Sequence, residues 1–166
     1  MPVWALTITF WLHLLATVTW IGSLAAISFL ILPAARHSLD LDAQGALIDA
    51  IQRRLEPLAW FCLALLVVTG MFQLSTSPHY NGLLSTSNQW SLAILVKHIM
   101  VVVMIVVSAL QTWEVLPSIQ RAAIRAQKTG DPAELRVLRQ RERLLLRVNL
   151  LLSILILAAT ALARVS

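Results

Sequence analysis

The sequence predicts an all-α fold, a polytopic membrane protein built as a four-transmembrane-helix bundle. Three observations predict it. Of 166 residues, 58% are hydrophobic, and the mean hydropathy is +0.78. That composition is foreign to soluble domains. Four apolar runs emerge, at about residues 4–32, 58–74, 90–113 and 144–162, and a helix crosses the hydrocarbon core in about 20 residues. The charged residues lie mostly between these runs. One domain, residues 1–166, accommodates all four, and no internal repeat of hairpin size is visible.

The first run is long enough to tilt. No Lys or Arg precedes it, and its apolar length is about twice that of a signal-peptide core. It therefore reads as a retained helix. The connection after it carries Arg36, Arg53 and Arg54. Leu47, Ile51 and Leu55 recur every four residues there, which predicts an amphipathic helix on the membrane surface. The second run is at the short end of the spanning range.

The connection from Ser75 to Gln89 has no charged side chain. The one from Pro117 to Arg143 carries Arg121, Arg125, Lys128, Arg136, Arg139, Arg141 and Arg143. By the positive-inside rule the two basic connections are cytoplasmic. The uncharged connection and both termini then face outward, and the first and third helices run parallel. Gly130 suits a left-handed helix end. Asp131, Pro132 and Glu134 suit the cap, first turn and reciprocal cap of a new helix that runs into the fourth span. Its Arg136, Arg139, Arg143 and Arg147 form a basic face at the bilayer edge. The formal charge of +5 is thus accounted for by topology, and nucleic acid is not an expected partner.

His13 and His98 are the candidate site. Each lies about eight or nine residues into its run from the same face, at a depth of about 12–14 Å. Ionisable side chains at that depth are rare and point to function. Thr9, His13, Thr17 and Trp20 fall within about 40° of one direction around the first helix, a polar stripe that should face the bundle. Gly22 and Ala26 lie nearly opposite and suit close contact with another helix.

Lys97 diverges from His98 by about 100°. It is placed to meet an anion, such as a haem propionate or a substrate carboxylate. Met71, Met100 and Met104 offer thioethers, which with imidazole suit Cu(I); the bland alternative is gap filling. His79, beside Tyr80, is a candidate cap for the site, and His37 reads as interfacial. Glu114 is expected to meet Arg121 or Arg147. The single Cys62 excludes an internal disulfide and a cysteine-based zinc site, and it reads as a small buried residue. No phosphate loop, His-Glu-x-x-His motif or paired acidic site is present, so no catalytic residue is assigned.

The segment His13-Leu-Leu-Ala-Thr-Val-Thr-Trp20-Ile-Gly22 resembles the first-helix signature of the copper resistance protein D family. Trp90, seven residues before Lys97, resembles that family's later helix. The His-x6-Trp spacing and intramembrane lysine also resemble the four-helix membrane protoporphyrinogen oxidases of haem synthesis. The first resemblance implies copper handling, with a copper-delivery partner, in a bacterial cytoplasmic membrane. The second implies b-type haem and a redox partner. His98 belongs to neither pattern and rests on its depth alone. The leading expectation is copper bound by His13, His98 and Met71. The alternatives are haem b held by His13 and His98 beside Lys97 and Trp20, in a haem-dependent oxidoreductase, and a structural subunit without a cofactor.

Overall fold

The computed structural model describes residues 2–39, 41–76 and 89–165. These form α1 (Val3–Ala25), α2 (Leu32–Ser38), α3 (Leu41–Ser75), α4 (Gln89–Leu110), α5 (Leu116–Thr129) and α6 (Ala133–Val165). A π-helical turn, Ala26–Ile31, joins α1 to α2, and a second, Gln111–Val115, joins α4 to α5. Each turn ends two residues before a proline, Pro33 or Pro117. A proline ring crowds the carbonyl four residues back. Widening the turn relieves that crowding, and the residue before each proline donates five residues back, Leu32 to Ile27 and Leu116 to Gln111. The helix therefore continues past each proline.

Four helical stretches are long and apolar enough to cross a membrane: Val3–Ala35, Ala43–Ser75, Ile94–Thr129 and Ala133–Leu162. Each extends beyond the apolar run that predicted it. The segment with Leu47, Ile51 and Leu55 is not a separate surface helix; α3 passes through it and through Pro57 without a break. Ile48, on this extension, is buried in the core, and that packing holds the extension in line with the span.

The helices pack in pairs, α1 along α3 and α4 along α6, with a smaller α1–α6 seam. The shared core contains Ala16, Trp20, Leu24, Ile48, Leu63, Met104, Leu146 and Leu150. Large apolar side chains such as Trp4, Trp11, Phe61, Val68 and Trp113 point outward, as lipid-facing residues do. Gly22 is not a point of close approach, because a Cβ there would meet nothing within 4 Å. The α1 contacts instead use the Ala16–Trp20–Leu24 face.

At the basic end of the bundle, polar side chains tie the extensions together. Arg139 bonds Asp49 at 3.2 Å and Glu142 at 3.3 Å, and Gln52 donates to Glu142. Arg139 thus turns inward, away from the predicted lipid-facing stripe, because the only buried carboxylate of the described residues, Glu142, lies one turn along its own helix. Glu114 pairs with Arg141 at 3.2 Å, not with Arg121 or Arg147. The α4–α6 packing carries Arg141 past it. Gly130 ends α5 with φ 72°, and Asp131 accepts the Ala133 N–H at 2.9 Å. Glu134 bridges to Arg125 at 3.2 Å, instead of making the expected reciprocal cap.

Candidate functional site

The pairing of helices leaves a gap, since α4 packs extensively on neither α1 nor α3. The gap is a cavity of about 510 Å³. His13, Thr17 and Trp20 enter it from α1, Gly70, Met71 and Gln73 from α3, Lys97, His98 and Met104 from α4, and Ser153 from α6. Every residue of the predicted metal or cofactor set, His13, Trp20, Met71, Lys97 and His98, therefore lines one space. Thr9 bonds its own helix at Ala5 and is not among the lining residues. Met100 is also absent from the lining. His79, Tyr80 and the side chain of Trp90 lie outside the described residues. His37 is exposed at the end of α2.

The hydrogen bonds of the two imidazoles fix their chemistry. His13 Nδ1 lies 2.7 Å from Thr69 Oγ1. The Thr69 hydroxyl is committed to the Leu65 carbonyl at 2.6 Å, so it must accept from His13. His13 therefore carries its proton on Nδ1, and in the neutral ring the Nε2 lone pair is left over. His98 Nδ1 lies 2.7 Å from the Ile94 carbonyl. A carbonyl only accepts, so His98 has the same tautomer. Two imidazoles on opposite helix pairs thus line one cavity, each with an Nε2 that no described residue hydrogen-bonds. A hydrogen bond at the far ring nitrogen is the usual way a ligating histidine is oriented.

The remaining walls are soft or polar. Met71 is half-exposed at the cavity edge, and Met104 is buried at its floor. The Met104 sulfur lies 3.6 Å from Ser153 Oγ, whose proton goes to the Asn149 carbonyl at 2.8 Å, and Trp20 Nε1–H donates to the same hydroxyl oxygen at 3.2 Å. Trp20 is thereby pinned between α1 and α6. Lys97 is half-buried and forms no ion pair with a described residue. Gln73 Nε2 is buried without a described partner. Among the described residues no three His, Cys, Asp or Glu side chains cluster as a metal site. An ion held here would rely on two imidazoles and thioethers, a donor set suited to Cu(I).

Thr69, Ser153, Asn149 and Ser108 are the residues that sequence reasoning missed. Asn149 Nδ2 donates to Ser108 Oγ at 3.0 Å, a buried link between α6 and α4. Asn149 and Ser153 sit four apart in an apolar run, and that spacing was a usable signal of a polar stripe. Thr69 gave none, because an intrahelical threonine is ordinary in a membrane span.

The family model described as copper resistance protein D matches residues 49–163, more than half of the chain. The match takes in Met71, Lys97 and His98 and begins after His13 and Trp20. The helix-one part of the resemblance thus lies outside it. Comparison with curated proteins and with solved structures finds no match. With four helices fit to cross a membrane and this match over most of its length, the chain belongs to the copper resistance protein D family of multi-pass membrane proteins.

Proposed function

We propose that this protein binds copper, as Cu(I), inside the membrane, between His13 Nε2 and His98 Nε2, with Met71 and Met104 as the available thioethers. The carrying observation is the pair of unengaged Nε2 lone pairs on one cavity. Imidazole and thioether are donors that Cu(I) accepts and that hard cations such as Mg2+ do not seek. Copper is cargo in this reading, taken up or passed on by the chain, with no catalytic residue. The basic connections lie on the cytoplasmic side, so the cavity opens in the outer half of the bilayer, near the termini.

A second reading is b-type haem, favoured by two features. A volume of about 510 Å³ exceeds what one ion fills and falls within the range of about 300–1,000 Å³ for organic ligands. Lys97 and Gln73 Nε2 are donors without described partners on the same walls, as an anionic edge of a ligand would require. His13 and His98 would then be its axial ligands.

One preparation separates the readings. The detergent-purified protein, made with haem available, is examined by absorption spectroscopy before and after dithionite, then titrated anaerobically with Cu(I) against a Cu(I) chelator. Copper binding that His13→Ala or His98→Ala removes, in a protein without a Soret band, supports the proposal. A Soret band with a sharp reduced α-band, lost in both variants, overturns it in favour of haem.

A further inference from the structure

We propose that the bundle binds a hard monovalent cation, Na+, on the basic side of Trp20, with Asn149 Oδ1 and the Glu56 carboxylate as its main ligands. This does not depend on the copper reading above. A separate cavity of about 100 Å³ lies there, and Trp20 lines both cavities. A water occupies about 30 Å³ in the liquid, so the space fits an ion with one or two waters.

Asn149 and Glu56 point to a single positive charge. Asn149 is buried, 2% exposed, and lines this cavity. The Ser108 hydroxyl donates to the Met104 carbonyl at 2.8 Å, so it accepts from Asn149 Nδ2 at 3.0 Å. That fixes the amide and leaves its Oδ1 without a described partner. An orphan carbonyl oxygen at that depth requires a donor or a positive charge. Glu56 is the only charged side chain on the lining, and it pairs with no described cation. One carboxylate neutralises one positive charge. A divalent ion would leave a net charge inside the bundle, which is costly at low dielectric.

The register of the helices gathers further oxygens beside these two. Asp49 and Gln52 of α3 meet Arg139 and Glu142 of α6, an offset of 90 positions in both pairs. The same offset sets Glu56 level with Leu146, about 4.5 Å along the bundle from Asn149. Ser108 is level with Asn149 through their bond, and Gln111, in the π-helical turn after α4, follows about 4.5 Å toward the basic end. Trp20 is level with Ser153, which brings Ser23 of α1 within about 2 Å of the level of Asn149. Ser23 and Gln111 line the cavity too. Hydroxyl, carboxylate and amide oxygens from four sides of the bundle thus lie within about 6 Å along its axis. Oxygen donors suit hard cations, as thioether and imidazole suit Cu(I).

The test is binding of radioactive sodium to the full chain in detergent, with choline as the balancing cation. One Na+ per chain is expected. Glu56→Gln keeps the shape and removes the charge, and it should weaken binding by at least about tenfold, the loss of one charged contact. Asn149→Leu should do the same, and where that variant fails to fold, Glu56→Gln decides the case. Sodium should also raise the melting temperature of the wild type above its value in choline, and leave that of Glu56→Gln unmoved. The paired His13→Ala, His98→Ala variant should bind sodium as the wild type does, so that failure of the copper reading leaves this site standing. No bound sodium, or sodium that Glu56→Gln keeps, overturns the proposal, and Asn149 Oδ1 then holds water. Sodium lost with the histidines places the ion in the larger cavity and overturns this site. Displacement of sodium by Ca2+ at equal concentration overturns the single-charge assignment.

Discussion

His13 donates its Nδ1–H to Thr69 across 56 positions of sequence, at 2.7 Å, and this one bond leaves Nε2 as the ring nitrogen without a described partner. The Thr69 hydroxyl cannot donate in return, because its proton is spent on Leu65. Thr69→Val keeps the shape and removes the acceptor. Copper affinity should fall by about 10–100-fold, the usual cost of losing an orienting partner, while Thr69→Ser stays near wild type. Chelator competition measures both. Equal affinity in all three proteins would show that the Thr69 bond does not orient a ligand.

His98 is oriented by its own helix, through Ile94, and so does not depend on α1–α3 packing. His98→Ala should therefore remove copper binding with little loss of thermal stability. His13→Ala should remove binding and also loosen α1 from α3. Melting curves of the two variants, without copper, test this. Matching melting temperatures would mean that the His13–Thr69 bond carries no share of helix pairing.

The helices and the polar stripe of α1 were legible because hydropathy and a 100° periodicity are local properties. His13, Thr17 and Trp20 share one direction on a helix whatever it packs against. The depth argument found His98 for the same reason. Packing partners were not legible. Arg139 looks like another stripe arginine until the fold brings Asp49 beside it, 90 positions away. Gly22 looks like a contact point until α3 is seen to pack along a different face. The space between the helix pairs arises from which pairs form, and no segment encodes it alone.

The Arg139 cluster gives a stability prediction. Glu142 is 2% exposed and Arg139 is 14% exposed, so solvent screens their pairing weakly. Glu142→Ala leaves the guanidinium with Asp49 alone and strands Gln52. Removing one partner of a buried pair costs about 3–5 kcal/mol, and the remaining Asp49 bond reduces this to about 2–3 kcal/mol. Arg125→Ala breaks an exposed bridge to Glu134 and should cost under about 1 kcal/mol. Denaturant titration in mixed micelles ranks the two. A larger loss for Arg125→Ala would contradict the inward placement of Arg139.

Gly70 tests the cavity wall directly. A Cβ at this position would lie 3.5 Å from His13 Cε1, an ordinary contact distance. Gly70→Ala should therefore be accepted, with the helix gaining up to about 1 kcal/mol from the lost glycine flexibility. The added methyl touches the ring without displacing it, so copper affinity should hold. Gly70→Leu is different: its branch has to enter the space beside the His13 ring and displaces that ring. Overpacking a filled site costs about 1–3 kcal/mol, yet here the open cavity absorbs the volume, so stability should change little while copper affinity falls. That separation, stability kept and binding lost, is what a ligand wall predicts and a packed core does not. A parallel loss of both in Gly70→Leu would place His13 in ordinary helix packing and remove it from the copper site.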